Sequence, residues 1–447
     1  MINLYPHQKD ALEKIKDKNK VAIYYDMGLG KTFIGSEKMM DFGTSFNLVI
    51  VQKSKVDDWI EHFKTHYSDF PYMTEVHDLT NKKEYERFIN RYKESQEHYT
   101  SYFDDWVDQY IPDDSIDPCQ YIGVINYDLV WRREELLKLK DFTLMLDESS
   151  LIQNESSKRT KFISKLSATN IILLSGTPCS GKYENLYSQA KLLGWNITKT
   201  EFWDRYIRTR DIPGNGFPIK IVVGYRNVDD LKDKLREHGA IFLKTEEVLD
   251  LPEQTNITIK CDRTKEYIDF TKSFYIKIDG KELIGETTLT KMLYLRQLAS
   301  AYNQNKINSL KELIESTSDR LIIFYNFNIE LEILKKVCKD RPLSFINGTC
   351  KDLENYENCD DSITLCQYQS ASKGLNLQKA NKIIYFSLPL SCENWLQSRK
   401  RIHRINQTKP CFYYYLITKN SIDEKIFKTL EKGKDYTNFL FVEDFNE

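Results

Sequence analysis

Residues 21–33 read Val-Ala-Ile-Tyr-Tyr-Asp-Met-Gly-Leu-Gly-Lys-Thr-Phe. An apolar run, Val21 to Tyr24, enters a glycine turn, and Phe33 to Met40 follows with helical spacing. Strand, glycine turn and helix start are the parts of a phosphate cradle. Backbone N–H groups must face anionic oxygens, and a side chain at Gly28 or Gly30 would block that approach. The helix N-terminus adds partial positive charge. In such a loop, Gly28, Leu29 and Gly30 line the phosphates, Lys31 reaches the β- and γ-phosphates, and the Thr32 hydroxyl holds Mg²⁺. The strict P-loop pattern wants a glycine five residues before Gly30, where Tyr25 stands. The plainer reading is a glycine turn joining a strand to a helix.

Two more apolar strands end in chemistry-bearing residues. Phe142 to Leu146 runs into Asp147-Glu148-Ser149-Ser150. Beside a phosphate, the first carboxylate can hold the magnesium shell and the second can accept a proton from attacking water. The alternative is an exposed strand end with solvated acids. Asn170 to Leu174 ends in Ser175-Gly176-Thr177-Pro178, read as a hydroxyl relay or as a plain helix entry. Phe46 to Val51 and Tyr121 to Ile125 are further strands, and Gln52-Lys53-Ser54 sits where a parallel strand meets its ligand. Leu4-Tyr5-Pro6-His7-Gln8 opens a helix, with Pro6 at its start. Gln8 carries an amide able to pair with an adenine edge. The stretch 67–118 is the least legible: a charged helix from Lys82 to Glu97, then an acidic, aromatic segment including Tyr102, Asp104, Trp106 and Tyr110. It reads as a surface insertion packing its own aromatics, or as a gate, partner contact or polyanion mimic.

A chain of 447 residues exceeds one core and implies two or three domains. With 41% hydrophobic and 29% charged residues it is a folded, soluble protein. No apolar run reaches the roughly 20 residues of a membrane span, and no signal peptide opens the chain. Nine scattered cysteines without a Cys-x-x-Cys pair fit reduced thiols in a cytoplasm, bacterial or that of a phage host. His62 and His66 read as surface or core histidines. Net charge is −2, so any polyanion must be met by local basic clusters such as Arg399-Lys400-Arg401 with Arg404.

After residue 310 strands and helices alternate, with apolar runs at 320–325, 343–346, 362–366, 382–386 and 411–417. This predicts a parallel sheet covered on both faces. No phosphate loop occurs there. Arg401 and Arg404 are three residues apart, which predicts one helix face carrying both. Ser421 with Glu424 predicts a capped closing helix ending at Gly433.

The ordered set resembles a Swi/Snf-type ATPase of helicase superfamily two. Asp26-Met27-Gly28-Leu29-Gly30-Lys31-Thr32 is similar to the family's motif I, Asp147-Glu148 to its acidic box, and Ser175-Gly176-Thr177-Pro178 to its motif III. Residues 241–252 resemble the link between lobes, and Leu295-Arg296-Gln297 resembles a helix of the region between them. Gln369 to Leu377 resembles motif V, with Ala371-Ser372 in place of a double glycine, and Gln397 to Gln407 resembles motif VI. Ser149 and Ser150 stand where most members have alanine or histidine.

The resemblance implies an α/β fold of two recombinase-like parallel-sheet lobes flanking an ATP cleft. The boundaries are 1–240 for the first lobe, with an insertion at 67–118, then 241–310 for linker and inter-lobe helices, and 311–447 for the second lobe. It implies ATP and Mg²⁺ as cofactors and Lys31, Asp147, Glu148, Arg401 and Arg404 as catalytic residues, the arginines acting as fingers. Gln8 reads adenine, Thr32 and Asp147 hold magnesium, and Lys53, Ser175, Thr177, Ser372, Asn376 and Gln397 bind nucleic acid or couple to it. The expected activity is DNA-dependent ATP hydrolysis driving translocation on DNA, duplex first, with further protein subunits as possible partners. The rivals are a strand-separating DNA or RNA helicase, an ATP-switched subunit of a replication, recombination or defence complex, and a P-loop phosphotransferase. The last is disfavoured by the arginine pair.

Overall fold

A parallel strand buried on both faces must be apolar at every position, and that is how the central strands of this chain read. The computed structural model describes residues 3–69, 73–105, 120–179, 181–212, 219–248, 251–368, 376–404 and 406–445. The chain divides into two units, Met1–Val248 and Leu249–Glu447.

The first unit opens with α1 (Pro6–Ile15), β1 (Lys20–Tyr25), α2 (Lys31–Asp41), β2 (Phe46–Val51) and α3 (Val56–Tyr67). Next come β3 (Thr74–Asp78), α4 (Lys82–Asp105), β4 (Gln120–Asn126), β5 (Phe142–Asp147), α5 (Lys158–Ile163) and β6 (Asn170–Leu174). It closes with α6 (Tyr187–Leu192), α7 (Lys199–Tyr206), β7 (Ile207–Ile212), β8 (Ile219–Tyr225), α8 (Val228–Glu237) and β9 (Ala240–Leu243). The sheet order is β3-β4-β2-β5-β6-β1-β9, and every pair is parallel. Leu174 pairs with both Ile23 and Asp147, so β1, β5 and β6 finish level and their loops leave the carboxyl edge together.

The charged helix of the expected insertion is α4. Its Phe88 and Tyr92 rings meet the sheet's Phe46 edge to face at 5.6 and 5.2 Å, so these two rings join the main core. Residues 106–119, including Trp106 and Tyr110, lie outside the described residues.

The second unit runs β10 (Gln254–Cys261), α9 (Lys265–Ser273), β11 (Tyr275–Ile278), β12 (Lys281–Ile284), α10 (Thr288–Ala299), α11 (Gln304–Glu315) and β13 (Leu321–Tyr325). It continues with α12 (Asn328–Val337), β14 (Leu343–Ile346), β15 (Lys351–Asp352), α13 (Glu354–Asn358), β16 (Ile363–Gln367) and β17 (Lys382–Tyr385). The last elements are α14 (Cys392–Arg399), β18 (Cys411–Thr418), α15 (Ile422–Glu431) and α16 (Asn438–Phe445). Its sheet order is β10-β18-β17-β13-β16-β14-β15, parallel except for β14 with β15. Residues 241–310 thus supply β9 to the first sheet and β10 with α9, α10 and most of α11 to the second unit.

Alternation along the strands makes two cores here. Leu321, Ile323, Leu365, Ile384 and Leu416 face one way. Phe324, Tyr385, Tyr413 and Tyr415, joined by Tyr368, face the other. The tyrosine hydroxyls are tied down. Tyr368 donates to Ser387 O at 3.0 Å, Tyr385 pairs with Ser398 Oγ at 3.0 Å, and Tyr413 donates to Arg399 O at 3.1 Å. The Arg399 guanidinium donates to the Tyr415 hydroxyl and lies over the Tyr413 ring at 4.2 Å. A buried ion pair, Lys306 Nζ to Asp423 Oδ2 at 2.6 Å, joins α11 to α15. The cap of α15 is offset from the expected one. Ser421 Oγ accepts from the Asp423 N–H at 3.1 Å, and the Glu424 carboxylate accepts from the Asn420 N–H at 3.0 Å. Among the described residues, no helix is long and apolar enough to cross a membrane.

Candidate active site

The glycine loop leaves β1 and enters α2, as the strand-turn-helix pattern requires. Gly28 and Gly30 have φ of 87° and 73°, the left-handed region where a side chain is strained. Gly30 is the N-cap of α2, with no side-chain cap, so the helix start presents backbone donors. A second demand falls on Gly30. A β-carbon there would meet Gln8 Nε2 at 1.9 Å, because Gln8 is buried against the loop. Gln8 Oε1 accepts from the Tyr5 N–H at 2.8 Å and its Nε2 donates to Gly30 O at 3.4 Å. The loop is held from the far side as well, since Asp26 Oδ2 accepts from both the N–H and the hydroxyl of Thr245 at 3.1 Å.

Lys31 Nζ donates to Tyr25 O at 2.8 Å and Asp26 O at 3.1 Å. A β-carbon at Gly176 would lie 3.4 Å from that ammonium, so the Ser175–Pro178 turn runs directly beside it. Ser175 is fully buried and its Oγ accepts from the Thr177 N–H at 3.2 Å. Among the described residues, the buried Thr177 Oγ1 has no hydrogen-bond partner.

Asp147 ends β5 within reach of this group. Burial pushes its carboxyl above the ordinary carboxylate value, while the Trp59 hydrogen bond, Lys31 and Lys55 pull it back. Trp59 Nε1 on α3 donates to Asp147 Oδ2 at 2.8 Å, and the buried Tyr127 hydroxyl donates to Asp147 O at 2.9 Å. Glu148 follows in the left-handed region, φ 54° and ψ 58°, a strained setting for a residue with a side chain. Lys53, in the turn after β2, is exposed. The donor set fits a phosphate with its metal: a glycine cradle at an uncapped helix start, the Thr32 hydroxyl, an ammonium and two carboxylates.

Sequence reasoning missed Trp59, Tyr127 and Gln189. Gln189 on α6 is fully buried and bonds to Tyr24, Ser149 and Pro178. A signal existed. Leu186, Ala190 and Leu193 share a helical face with position 189, so the glutamine stands where the period buries it. Nothing in spacing tied Trp59 to Asp147.

In the second unit the expectation of one helix face for Arg401 and Arg404 is overturned. Helix α14 stops at Arg399, and Lys400 is its C-cap. The Arg401 N–H bonds to Ser398 O at 3.2 Å while the Arg401 carbonyl accepts from the Leu377 N–H at 3.1 Å, which turns the chain out of the helix. Arg401 is buried in that turn. Arg404 Nη1 donates to Asn376 Oδ1, and burial lowers its guanidinium from the ordinary value. The motif V and motif VI stretches do therefore meet, at Arg404 with Asn376 and Arg401 with Leu377. Gln397 is buried and donates to Glu393 Oε1 at 2.9 Å. Ser372 lies outside the described residues.

A parallel sheet presenting this loop and acidic pair, followed by a second parallel-sheet unit without such a loop, defines a nucleoside-triphosphatase core of the helicase class. Family comparison carries this further. The SNF2-related domain model matches residues 12–338, and the helicase conserved C-terminal domain matches 305–406. The chain belongs to the SNF2-related family of helicase superfamily two.

Several relatives are similar over most of the chain. The SWI/SNF-related matrix-associated actin-dependent regulator of chromatin subfamily A-like protein 1 of Xenopus tropicalis is 22% identical over 96% of this chain and 44% of its own length. The DNA repair and recombination protein RAD26 of Saccharomyces cerevisiae is 24% identical over 95% of this chain and 45% of its own length. An uncharacterized ATP-dependent helicase of Mycoplasma genitalium is 22% identical over 72% of this chain and 32% of its own length. The chain thus spans less than half the length of these relatives. Among solved structures, the Sulfolobus solfataricus SWI2/SNF2 ATPase core in complex with dsDNA matches over 98% of this chain and 92% of its own, with 19% identity and a TM-score of 0.41.

Proposed function

We propose that this chain is an ATP-driven motor that tracks along DNA, with duplex as its preferred track. The observation that supports it is the convergence of Lys31, Asp147, Glu148 and the Ser175–Pro178 turn at one sheet edge, in a chain of the SNF2-related family. Lys31 turns its ammonium from the Tyr25 and Asp26 carbonyls to the β- and γ-phosphates of ATP. Gln8 exchanges its contacts with Tyr5 and Gly30 to read adenine. Thr32 and Asp147 are the residues to hold Mg²⁺, which when bound neutralises phosphate charge. Glu148 orients the attacking water and takes its proton. Arg401 and Arg404 are proposed as the arginine fingers, an effect worth roughly 10³–10⁵ in rate. Lys53, Ser175, Thr177, Ser372, Asn376 and Gln397 are proposed to contact nucleic acid or to relay its presence. Contacts are chiefly to phosphates, so binding is salt-sensitive and blind to sequence.

The test is steady-state ATP hydrolysis without nucleic acid and with duplex DNA, single-stranded DNA or RNA, with Glu148→Gln as control. Strong stimulation by duplex, lost in Glu148→Gln, is expected, and displacement of a triplex strand then reports motion. Stimulation by single strands or RNA alone replaces the reading with a strand-separating helicase. ATP binding with no stimulation by any of them replaces it with an ATP-switched subunit.

A further inference from the structure

Strand β1 and the loops that follow β5 and β6 meet at one side chain. Gln189 Oε1 accepts from the Tyr24 hydroxyl at 2.9 Å and the Ser149 hydroxyl at 2.8 Å. Its Nε2 donates to Pro178 O at 2.8 Å. The amide has one sensible orientation. The Pro178 carbonyl can only accept, so nitrogen must face it, and oxygen then faces two hydroxyls. Burial raises the Tyr24 hydroxyl far above its ordinary pKa, which keeps it a donor. The amide oxygen has both lone pairs engaged and no water reaches it.

Each partner sits one step from a group of the proposed chemistry. Tyr24 precedes Tyr25, whose carbonyl receives Lys31 Nζ. Ser149 follows Glu148, which holds a left-handed backbone conformation. Such a conformation costs on the order of 1–3 kcal/mol and persists only where its surroundings over-determine it. Pro178 closes the turn whose Gly176 lies against Met27 and Lys31.

We infer that Gln189 is a positioning residue that holds the Glu148 backbone in its strained conformation and links it to the Ser175–Pro178 turn. This rests on the ATPase reading above. Ser149, with Ser150, stands where most members of the family have alanine or histidine, and its hydroxyl is what lets Gln189 grip that turn. A shift of Pro178 pulls the amide, and the amide pulls Ser149 and with it the carboxylate of Glu148. Gln189 touches no reacting atom. It acts through Glu148.

The decisive variant is Gln189→Met, which keeps length and removes all three hydrogen bonds. The expected result is a fall of about 10-fold in kcat for ATP without nucleic acid, in the range such couplings reach. KM and ATP affinity stay within about twofold, because the glycine loop and Lys31 are untouched. Ser149→Ala lowers kcat in the otherwise unaltered chain and adds nothing in Gln189→Met, since the two residues act through one contact. A role confined to folding would lower the melting temperature without separating kcat from KM. Unchanged kcat in Gln189→Met, or Ser149→Ala adding in full to it, overturns the inference. If Gln189→Met does not fold, Ser149→Ala and Tyr24→Phe carry the test, each deleting one hydroxyl, and unaltered kcat in Ser149→Ala overturns it. The readout is the unstimulated rate, so absence of stimulation by DNA in the unaltered protein rejects the motor reading and leaves this test standing.

Discussion

Each sheet has a side chain that gathers its strand ends, and the two differ in charge. In the first unit it is Gln189, a neutral amide. In the second it is Glu330, fully buried near the start of α12. Its carboxylate accepts from the Asn326 N–H at 2.8 Å, the Phe327 N–H at 3.1 Å, the Ser387 hydroxyl at 2.9 Å and the Ser300 hydroxyl at 2.5 Å. Those donors tie the ends of β13 and β17 to the end of α10. A neutral amide gives up one hydrogen bond at a cost of about 1 kcal/mol and remains tolerable inside a protein. A buried carboxylate stripped of its donors does not. On the motor reading proposed above, the difference suits a first unit whose loops rearrange during turnover and a second built as a fixed frame.

That contrast can be broken at several points. The largest expected effect is in the frame itself. Lys306→Met leaves Asp423 buried without its cation and destabilises the second unit by about 3–5 kcal/mol. Hydrogen exchange of β18 amides under increasing urea measures it, and a loss below about 1 kcal/mol contradicts the frame. Glu330→Leu strands two backbone N–H groups and two hydroxyls, and about 3 kcal/mol is expected. Gln189→Met, measured the same way in the first unit, strands two hydroxyls and one carbonyl and loses about 2 kcal/mol. Equal losses would erase the distinction between the hubs.

The first unit also carries a pH sensitivity. His62 pairs with Ser36 Oγ at 3.0 Å and lies among Phe33, Trp59 and His66. Burial first, then the neighbouring His66, lowers its pKa from 6.5 to about 4. The unfolded chain therefore takes the proton at higher pH than the folded one. Stability is fully present above pH 6.5 and declines as pH falls toward about 4, by on the order of 2 kcal/mol. His62→Gln should flatten that part of the urea-midpoint profile. The smallest effect is at Trp59. Trp59→Phe removes a donor from Asp147, and the Mg²⁺ concentration that half-saturates ATP hydrolysis should rise about 10-fold. An unchanged titration would mean the indole only fills space.

Central strands were legible because burial on both faces forces a continuous apolar run, as in Leu321–Tyr325 or Phe142–Leu146. Edges and hairpins were not. β3 is Thr-Glu-Val-His-Asp and β7 is Ile-Arg-Thr-Arg-Asp-Ile, too polar to stand out, and β10 alternates exposed and half-buried positions. The β11–β12 hairpin had a local signal in Asp279-Gly280, both at positive φ, which is turn chemistry that two-residue hairpins demand. At the site, residues fixed by their own chemistry could be read: the glycine loop, Lys31 and the acidic pair. Residues that matter through a neighbour distant in sequence, such as Trp59 and Gln189, could not. The arginine pair failed for a local reason. Three-residue spacing implies a shared face only while the helix continues, and here Leu377 captures the Arg401 carbonyl and ends it.

The buried tyrosines of the second sheet give that ending a mechanical meaning. Contact between leucines is non-directional, so a leucine that shifts can exchange one neighbour for another. A tyrosine that slides loses a specific partner. Ser398 and the Arg399 carbonyl, at the last turn of α14, are bolted to Tyr385 and Tyr413. The turn carrying Arg401 and Arg404 therefore inherits its alignment from the sheet, like a bracket screwed to a plate, and thermal play at those arginines should follow the stiffness of the strands beneath them.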